Sequence, residues 1–493
     1  MEHSEYRNLG GSRKLIPAVG IQGGIIVKMA GKISAFFGTQ DLTKGKPLTG
    51  LIQFSVPLLI GNLAQQLYNT VDSIVVGKYV GDTALAAVGA SGPILNLLLV
   101  LFMGIAIGAT VMVAQYFGAQ QKDLLSKTVG NTITLTVLSS LIIMAVGPLL
   151  TGPLLSLLNT PPDIYGLSWT YLMIIFLGIM GAASYNILSG VLRGLGDSFW
   201  PLVYLVIACL LNIVLDLLFV AVFHWSVAGV AIATVIAQFV SGILCLLRLI
   251  HMKEIVVVTK SSLRLQRDLV LKLIRLGLPA GLSQAIFSLA AIVVQSLTNS
   301  FGTAIIASSI VVMRVDGFAM MPNFTFGTAM TTYTGQNVGA RQMDRVHQGT
   351  KDGAIIGLVT SSLLTVLILV FGRPLMGLFT NTPEVVSMSF HFMCILAAGY
   401  IAMSITQVLS GVMRGAGDTM TPMWISIITT VIIRVPIAYG IAFFTASNRA
   451  ELGTGNPDSL FISLLFSWVL GAVITWAFYL KGKWRKKALS PAP

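Results

Sequence analysis

Charge is the first thing this sequence is short of. Asp, Glu, Lys and Arg make up 10% of its 493 residues, against roughly 25% in soluble proteins. So few charges cannot clothe the surface of a water-soluble domain of this size. Cysteine and histidine are scarce too, at three and five residues. Cys209, Cys245 and Cys394 all fall inside apolar runs, without the paired spacing of a zinc site or redox motif. They read as small buried apolar residues rather than as metal ligands or a disulfide framework. The histidines are scattered, with no Ser–His–Asp pattern and no phosphate-binding loop, so neither nucleophilic hydrolysis nor nucleotide hydrolysis has a sequence basis. No enzyme activity and no cofactor is expected.

What the chain does have is apolar length. Hydrophobic residues make up 55% of it and the mean hydropathy is +0.85. Runs near or beyond 18 residues recur from about 51–77 to about 459–480. At 1.5 Å per residue each is long enough to cross about 30 Å of hydrocarbon. Twelve such runs predict an all-α polytopic membrane protein with both termini on one side. The net charge of +13 raises the question of nucleic acid, and its placement answers it. Numbering the connections from the first span, the termini and even-numbered connections hold 26 Lys and Arg, the odd ones only Lys78, Arg373 and Arg449. Arg314 and Arg434 lie inside spans. This asymmetry is the positive-inside pattern, which predicts cytoplasmic termini in the cell's inner (plasma) membrane and no nucleic-acid partner.

An internal repeat organises the spans. Residues 189–201 read SGVLRGLGDSFWP and residues 410–422 read SGVMRGAGDTMTP, identical at eight of thirteen positions and offset by 221. The same offset aligns AQYFGAQQKD from Ala114 with GQNVGARQMD from Gly335, and 222 aligns LIQFSVP from Leu51 with LIRLGLP from Leu273. Three blocks in one order mean a duplication. Each half holds six spans, so both halves share one orientation and form pseudo-symmetric six-helix lobes related by an axis along the membrane normal. The expected division is an N-terminal extension over 1–45 without order, an N-lobe over 46–250 and a cytoplasmic linker over 251–272. A C-lobe over 273–480 and a basic tail over 481–493 complete it. Within the repeated turns, Asp197 and Asp418 are expected to cap the helices that follow. Pro57 and Pro279 match across the repeat and are expected to bend the first and seventh spans.

Polar groups inside spans are costly and face protein or water. Only three carboxylates lie there: Asp72, Asp216 and Asp316. In the first span Asn62, Gln65, Asn69 and Asp72 recur at steps of three and four, which places them on one face. Such a face suits a hydrated cavity wall, and interhelical hydrogen bonding is the alternative. Asp72, Asp216 and Thr234 all fall roughly 8–11 Å below the outer surface, counting residues from the span ends. Asn212 is one turn from Asp216. Two carboxylates, an amide and a hydroxyl at one depth suit a proton or a small hard cation such as Na⁺. The second half lacks this set: Arg434 stands at the repeat position of Asn212, and Ala438 at that of Asp216. Asp316 and Arg434 both lie near mid-membrane, where they either pair with each other or meet substrate.

The stretch NLAQQLYNTVDSIVVGKYVG, the two SGV-R-G-GD-P blocks and MPNFTFGTAMTTYTGQNVGA together resemble the multidrug and toxic compound extrusion (MATE) family. The resemblance runs from about Lys44 to Lys481. It implies twelve helices in two lobes, forming a V-shaped exporter driven by H⁺ or Na⁺ through alternating access. It also implies a monomer whose small-molecule substrates are amphipathic organic compounds, typically cations. Asp72, Asn212, Asp216 and Thr234 are similar to the cation site of the DinF-like prokaryotic branch. Another branch uses acids of the C-lobe; here that region offers Gln284, Gln407 and Asp316 with Arg434 as cavity-lining candidates. A lipid-linked saccharide flippase of the same wider superfamily and a channel or receptor stay open as alternatives.

Overall fold

The computed structural model describes residues 38–487 other than Ala450. The structured segments among them are helical, and none is a strand. The N-lobe comprises α1 (Pro47–Val75), α2 (Asp82–Gly118), α3 (Lys122–Leu157), α4 (Pro162–Leu177), α5 (Ile179–Gly194), α6 (Phe199–Asp216) and α7 (Ser226–His251). The C-lobe repeats the order with α8 (Arg267–Ser300), α9 (Thr303–Gly339), α10 (Met343–Gly377), α11 (Pro383–Ala397), α12 (Gly399–Gly415), α13 (Met420–Ile427), α14 (Val435–Thr445) and α15 (Ser459–Lys481). Among the described residues ten helices are long and apolar enough to span a membrane, and twelve spans result when two bent pairs are each counted as one. Those pairs are α4–α5, bent by 53°, and α11–α12, bent by 46°.

The two bends fall at matching places in the repeat. At the first, a side chain on Gly178 would run into Val235 of α7. Pro57 and Pro279 lie at matching places inside the helices α1 and α8. The tight turns after the first and seventh spans also match: Gly81 has φ +111° and Gly302 has φ +92°, a region that glycine enters without a Cβ penalty. Large apolar side chains cover the outside of the bundle, and Leu149, Leu157, Leu378 and Phe444 are each at least 76% exposed. Such a surface is stable only against hydrocarbon.

The lobes meet at one end. That end carries the basic turns and both described chain ends: Gln40 reaches Gly196, and Lys487 reaches Gly417. There α2 packs on α8 and α9, and α1 on α9 and α10. The helices touch backbone to backbone. A methyl group on Gly104 would stand 2.9 Å from the Gly277 carbonyl oxygen, and one on Gly118 would collide with that of Gln336. Toward the other end, Gly89 and Gly92 of α2 and Gly317 of α9 face open space. The two lobes are therefore sealed at the basic end and parted at the far end.

Two expected boundaries shift. Residues 38–45, assigned with the N-terminal extension, are a packed strap: the Leu42 N–H donates to Gln336 Oε1 at 2.9 Å, and Arg345 donates to the carbonyls of Leu42, Lys44 and Gly45. Polar backbone at a lobe seam is held because the groups it meets are buried and need partners. The rest of that extension, residues 1–37, lies outside the described residues. Helix α8 begins at Arg267 rather than near 273, because charged residues in its first turns extend a membrane helix into the aqueous layer.

Candidate cation site

The sequence-predicted N-lobe residues come from three helices. Asp72 ends the polar face of α1, Asn212 and Asp216 close α6, and Thr234 lies on α7. Immediately after Asp216 the helix widens to a π-helical turn over Leu217–Val222, and another follows α1 over Val76–Val80. Such turns shift the side-chain register and are frequent at functional sites.

The structure brings these four together. The Asp72 and Asp216 carboxyl groups lie close enough to interact directly. In the orientation its neighbours dictate, the Asn212 amide donates to Asp216 Oδ2 at 3.0 Å and accepts from the Thr234 N–H at 3.3 Å. Asp216 and Asn212 are wholly buried. One oxygen of each acid, Oδ1, is sealed from solvent without a partner, as are the hydroxyl of Thr234 and the Gln238 Oε1 one turn along α7. The Tyr68 hydroxyl approaches Thr234 without closing a hydrogen bond. Buried Tyr171 of α4 lies within electrostatic reach of both acids.

Unsatisfied oxygens in a dry lobe are expensive. Two unscreened carboxylates at 4 Å repel by about 4 kcal/mol even at an effective dielectric near 20. A proton shared between them, or a small cation taking oxygens from Asp72, Asp216, Asn212 and Thr234, removes both costs. The donors are all oxygen, which fits a hard ion. Tyr68, Tyr171 and Gln238 were not anticipated. Gln238 carries a readable signal, a helical step of four from Thr234; the two tyrosines are ordinary apolar positions in the sequence.

The other predicted residues lie elsewhere. Asn62 Nδ2 donates to Thr325 Oγ1 of α9 at 2.9 Å, bridging the lobes. Gln65 reaches Asn69 at 3.5 Å, the limit of a hydrogen bond, and Asn69 is exposed. Gln284 is exposed on α8, while Gln407 of α12 packs beside Gly327. Asp316 Oδ1 accepts from the Tyr400 hydroxyl at 2.9 Å. Arg434 is near enough to feel its charge, but no ion pair joins them within the 4.0 Å contact limit among the described residues. The side-chain pairing considered for Asp316 is thus made with Tyr400.

The repeated acids sit at the basic end, away from both groups. Asp197 accepts from the Trp200 N–H at 3.1 Å and from Arg248 Nε and Nη2, both at 3.1 Å. Asp418 accepts from the Thr421 N–H at 3.3 Å and from its hydroxyl at 2.7 Å.

Comparison with known proteins matches the two-lobed fold. The MatE family model fits the chain twice, over residues 57–218 and 279–440, one match per lobe. The probable multidrug resistance protein YoeA of Bacillus subtilis is 28% identical over 92% of this chain and 97% of its own length. YpnP of the same organism, also a probable multidrug resistance protein, is 30% identical over 91% of this chain and 98% of its own. A solved structure of MATE in complex with MaL6 superposes with a TM-score of 0.84 at 22% identity, covering 92% of this chain and 100% of that one. An outward-facing multidrug resistance MATE family transporter superposes at 0.83 with the same identity, covering 92% and 99%. The chain belongs to the MatE family, the multidrug and toxic compound extrusion proteins, which are membrane transporters and not enzymes.

Proposed function

We propose that this protein is a secondary active exporter that moves amphipathic organic compounds out of the cell in exchange for H⁺ or Na⁺. It works as a monomer in the plasma membrane. The basic end is cytoplasmic, which makes the described arrangement, closed there and parted at the far end, an outward-facing one. The observation that supports coupling is the Asp72–Asp216 contact with an unpartnered buried oxygen on each acid. Binding one positive charge there relieves repulsion and favours the lobe arrangement in which the acids are close. Losing the charge favours the other arrangement. An ion gradient then biases the exchange between the two. The multidrug resistance names of the relatives support export of foreign compounds as the use of that cycle.

Efflux from proteoliposomes under imposed ΔpH or ΔNa⁺ tests the reading. Asp216→Asn is expected to give a stable protein that binds substrate yet loses gradient-driven efflux by about tenfold or more, the worth of one lost charge-assisted contact. Asp72→Asn acts in the same direction, and Asp316→Asn has a smaller effect. Wild-type rates from both Asp72→Asn and Asp216→Asn would exclude the N-lobe site.

A further inference from the structure

The C-lobe interior carries the opposite charge to the N-lobe interior, and its cation has nothing to hold. Arg434 ends the π-helical segment Ile428–Arg434, at the repeat position of Asn212. It is only 9% exposed. Its Nε is sealed without a partner among the described residues. The one acid within electrostatic reach, Asp316, already accepts from Tyr400 and makes no direct ion pair with it. A buried guanidinium left this way is costly, and both charge and hydrogen-bond donors are available to a ligand. Arg314 adds a second cation at the same depth: each arginine is 11 residues from the far end of its span, roughly 17 Å at 1.5 Å per residue. Arg314 is exposed on the face of α9 that also presents Gly317 and Thr328. A charge exposed at mid-membrane faces water and not lipid, so this face borders the parted space between the lobes.

We infer that the C-lobe binds an acidic group of the transported amphiphile, with Arg434 as its contact and Arg314 guiding it in. Substrates are then organic anions or zwitterions carrying a carboxylate-like group, which narrows the organic cations implied by resemblance to those that also bear an acid. The inference rests on the exporter reading, yet it concerns a site separate from the ion pair of the N-lobe. Arginine is suited to the task because its planar fork meets a carboxylate with two parallel N–H donors.

Three probes with one aromatic body separate charge from hydrophobic binding: 1-pyrenebutyrate, its methyl ester and 1-pyrenebutyltrimethylammonium. Their fluorescence is titrated with the full chain in nanodiscs, against empty nanodiscs, with no gradient. Pyrenebutyrate is expected to bind about tenfold or more tightly than the ester or the ammonium, the worth of one charge-assisted contact. Arg434→Gln is expected to bring the anion down to the affinity of the ester while leaving the ester unchanged. Arg434→Lys, which keeps the charge, retains part of the preference. Equal binding of the three probes by wild type, tightest binding of the ammonium, or an Arg434→Gln protein that keeps the preference overturns the inference. The wild-type comparison decides even if Arg434→Gln does not fold. Because no gradient is applied, such a failure leaves the N-lobe reading standing. Loss of that reading would show as normal coupling in Asp216→Asn.

Discussion

The seam at the basic end is held by a reciprocal pair of buried hydrogen bonds, and loosening it should move the whole transporter. Gln115 Nε2 of α2 donates to the Gly415 carbonyl of the C-lobe at 2.8 Å. Gln336 Nε2 of α9 donates to the Gly194 carbonyl of the N-lobe at 3.1 Å, while its Oε1 accepts from the Leu42 N–H. Gln115 and Gln336 differ by 221 residues, as do Gly194 and Gly415, so each lobe grips the other through the same residues. The bonds from Gln115 to Gly415 and from Gln336 to Gly194 cross between the lobes and exist only while the seam is closed. Gln336→Ala removes one of them, at about 1 kcal/mol for a neutral buried bond. That loss lowers the ratio of outward-facing to inward-facing protein by roughly 5-fold. Gln115→Ala acts in the same sense, and the double variant goes further. Spin labels on cysteines at the exposed positions Lys122 and Asp344 report the seam, in a protein whose three native cysteines are replaced. Pulsed electron paramagnetic resonance is expected to show one short distance in wild type and a growing long-distance population in the variants. A double variant that keeps the single short distance, with an unchanged melting temperature, would refute the latch.

Two further outcomes test the frame around the sites. Asp197→Ala is expected to cost about 1.5–3 kcal/mol in melting or yield, because it removes a buried carboxylate that accepts from the Trp200 N–H and from Arg248. Asp418→Ala, with only cap-type bonds to Thr421, should cost about 1 kcal/mol. Normal folding of both with loss of transport would instead give these acids a direct role in the cycle. Single cysteines at Lys260 and Lys483 should be labelled only from the cytoplasmic face and one at Asn456 only from outside; labelling of positions 260 and 456 from one side contradicts the orientation proposed here.

Much of this fold could be read in the residues because membrane burial leaves few ways to arrange them. Apolar length marked the spans, and the repeat assigned them to two lobes. The polar residues that the bilayer penalises were few enough to pick out Asp72, Asp216 and Asp316 singly. Depth counting put Asp72, Asp216 and Thr234 at one level, with Asn212 one turn away, and the structure joins all four. Counting could not give the facing of each helix. That depends on packing and on the π-helical turns, which no residue pattern announces, so Tyr68 and Tyr171 were missed and the partner of Asp316 was left between alternatives. Gln115 and Gln336 were visible as identical letters in aligned blocks. Their role was hidden because it depends on backbone carbonyls, which every residue has. The strap at 38–45 was hidden for the same reason: polar composition suggests disorder unless something buried is waiting to bond it.

The duplication explains why the two lobes can now hold different ligands. Repeat symmetry would give both lobes the same pocket, and the seam keeps that symmetry in full, with Gln115 and Gly194 answering Gln336 and Gly415. Symmetry fails where chemistry is needed. Asn212 and Asp216 of the N-lobe face Arg434 and Ala438 of the C-lobe, and the π-helical turns of the two halves fall at different repeat positions, 217–222 against 428–434. A negative pocket and a positive pocket favour groups of opposite charge. If the ion sits in the first and the acidic group of the substrate in the second, exchange does not come from displacement at a shared site. The proposed exchange then runs through the contacts between the lobes, which both pockets can bias. Ion binding that draws Asp72 to Asp216 reshapes α1, and α1 packs directly on α9 and α10 of the other lobe. The bond from Asn62 to Thr325 lies on that contact, between the N-lobe acids and the helix that carries Arg314, Asp316 and Gln336.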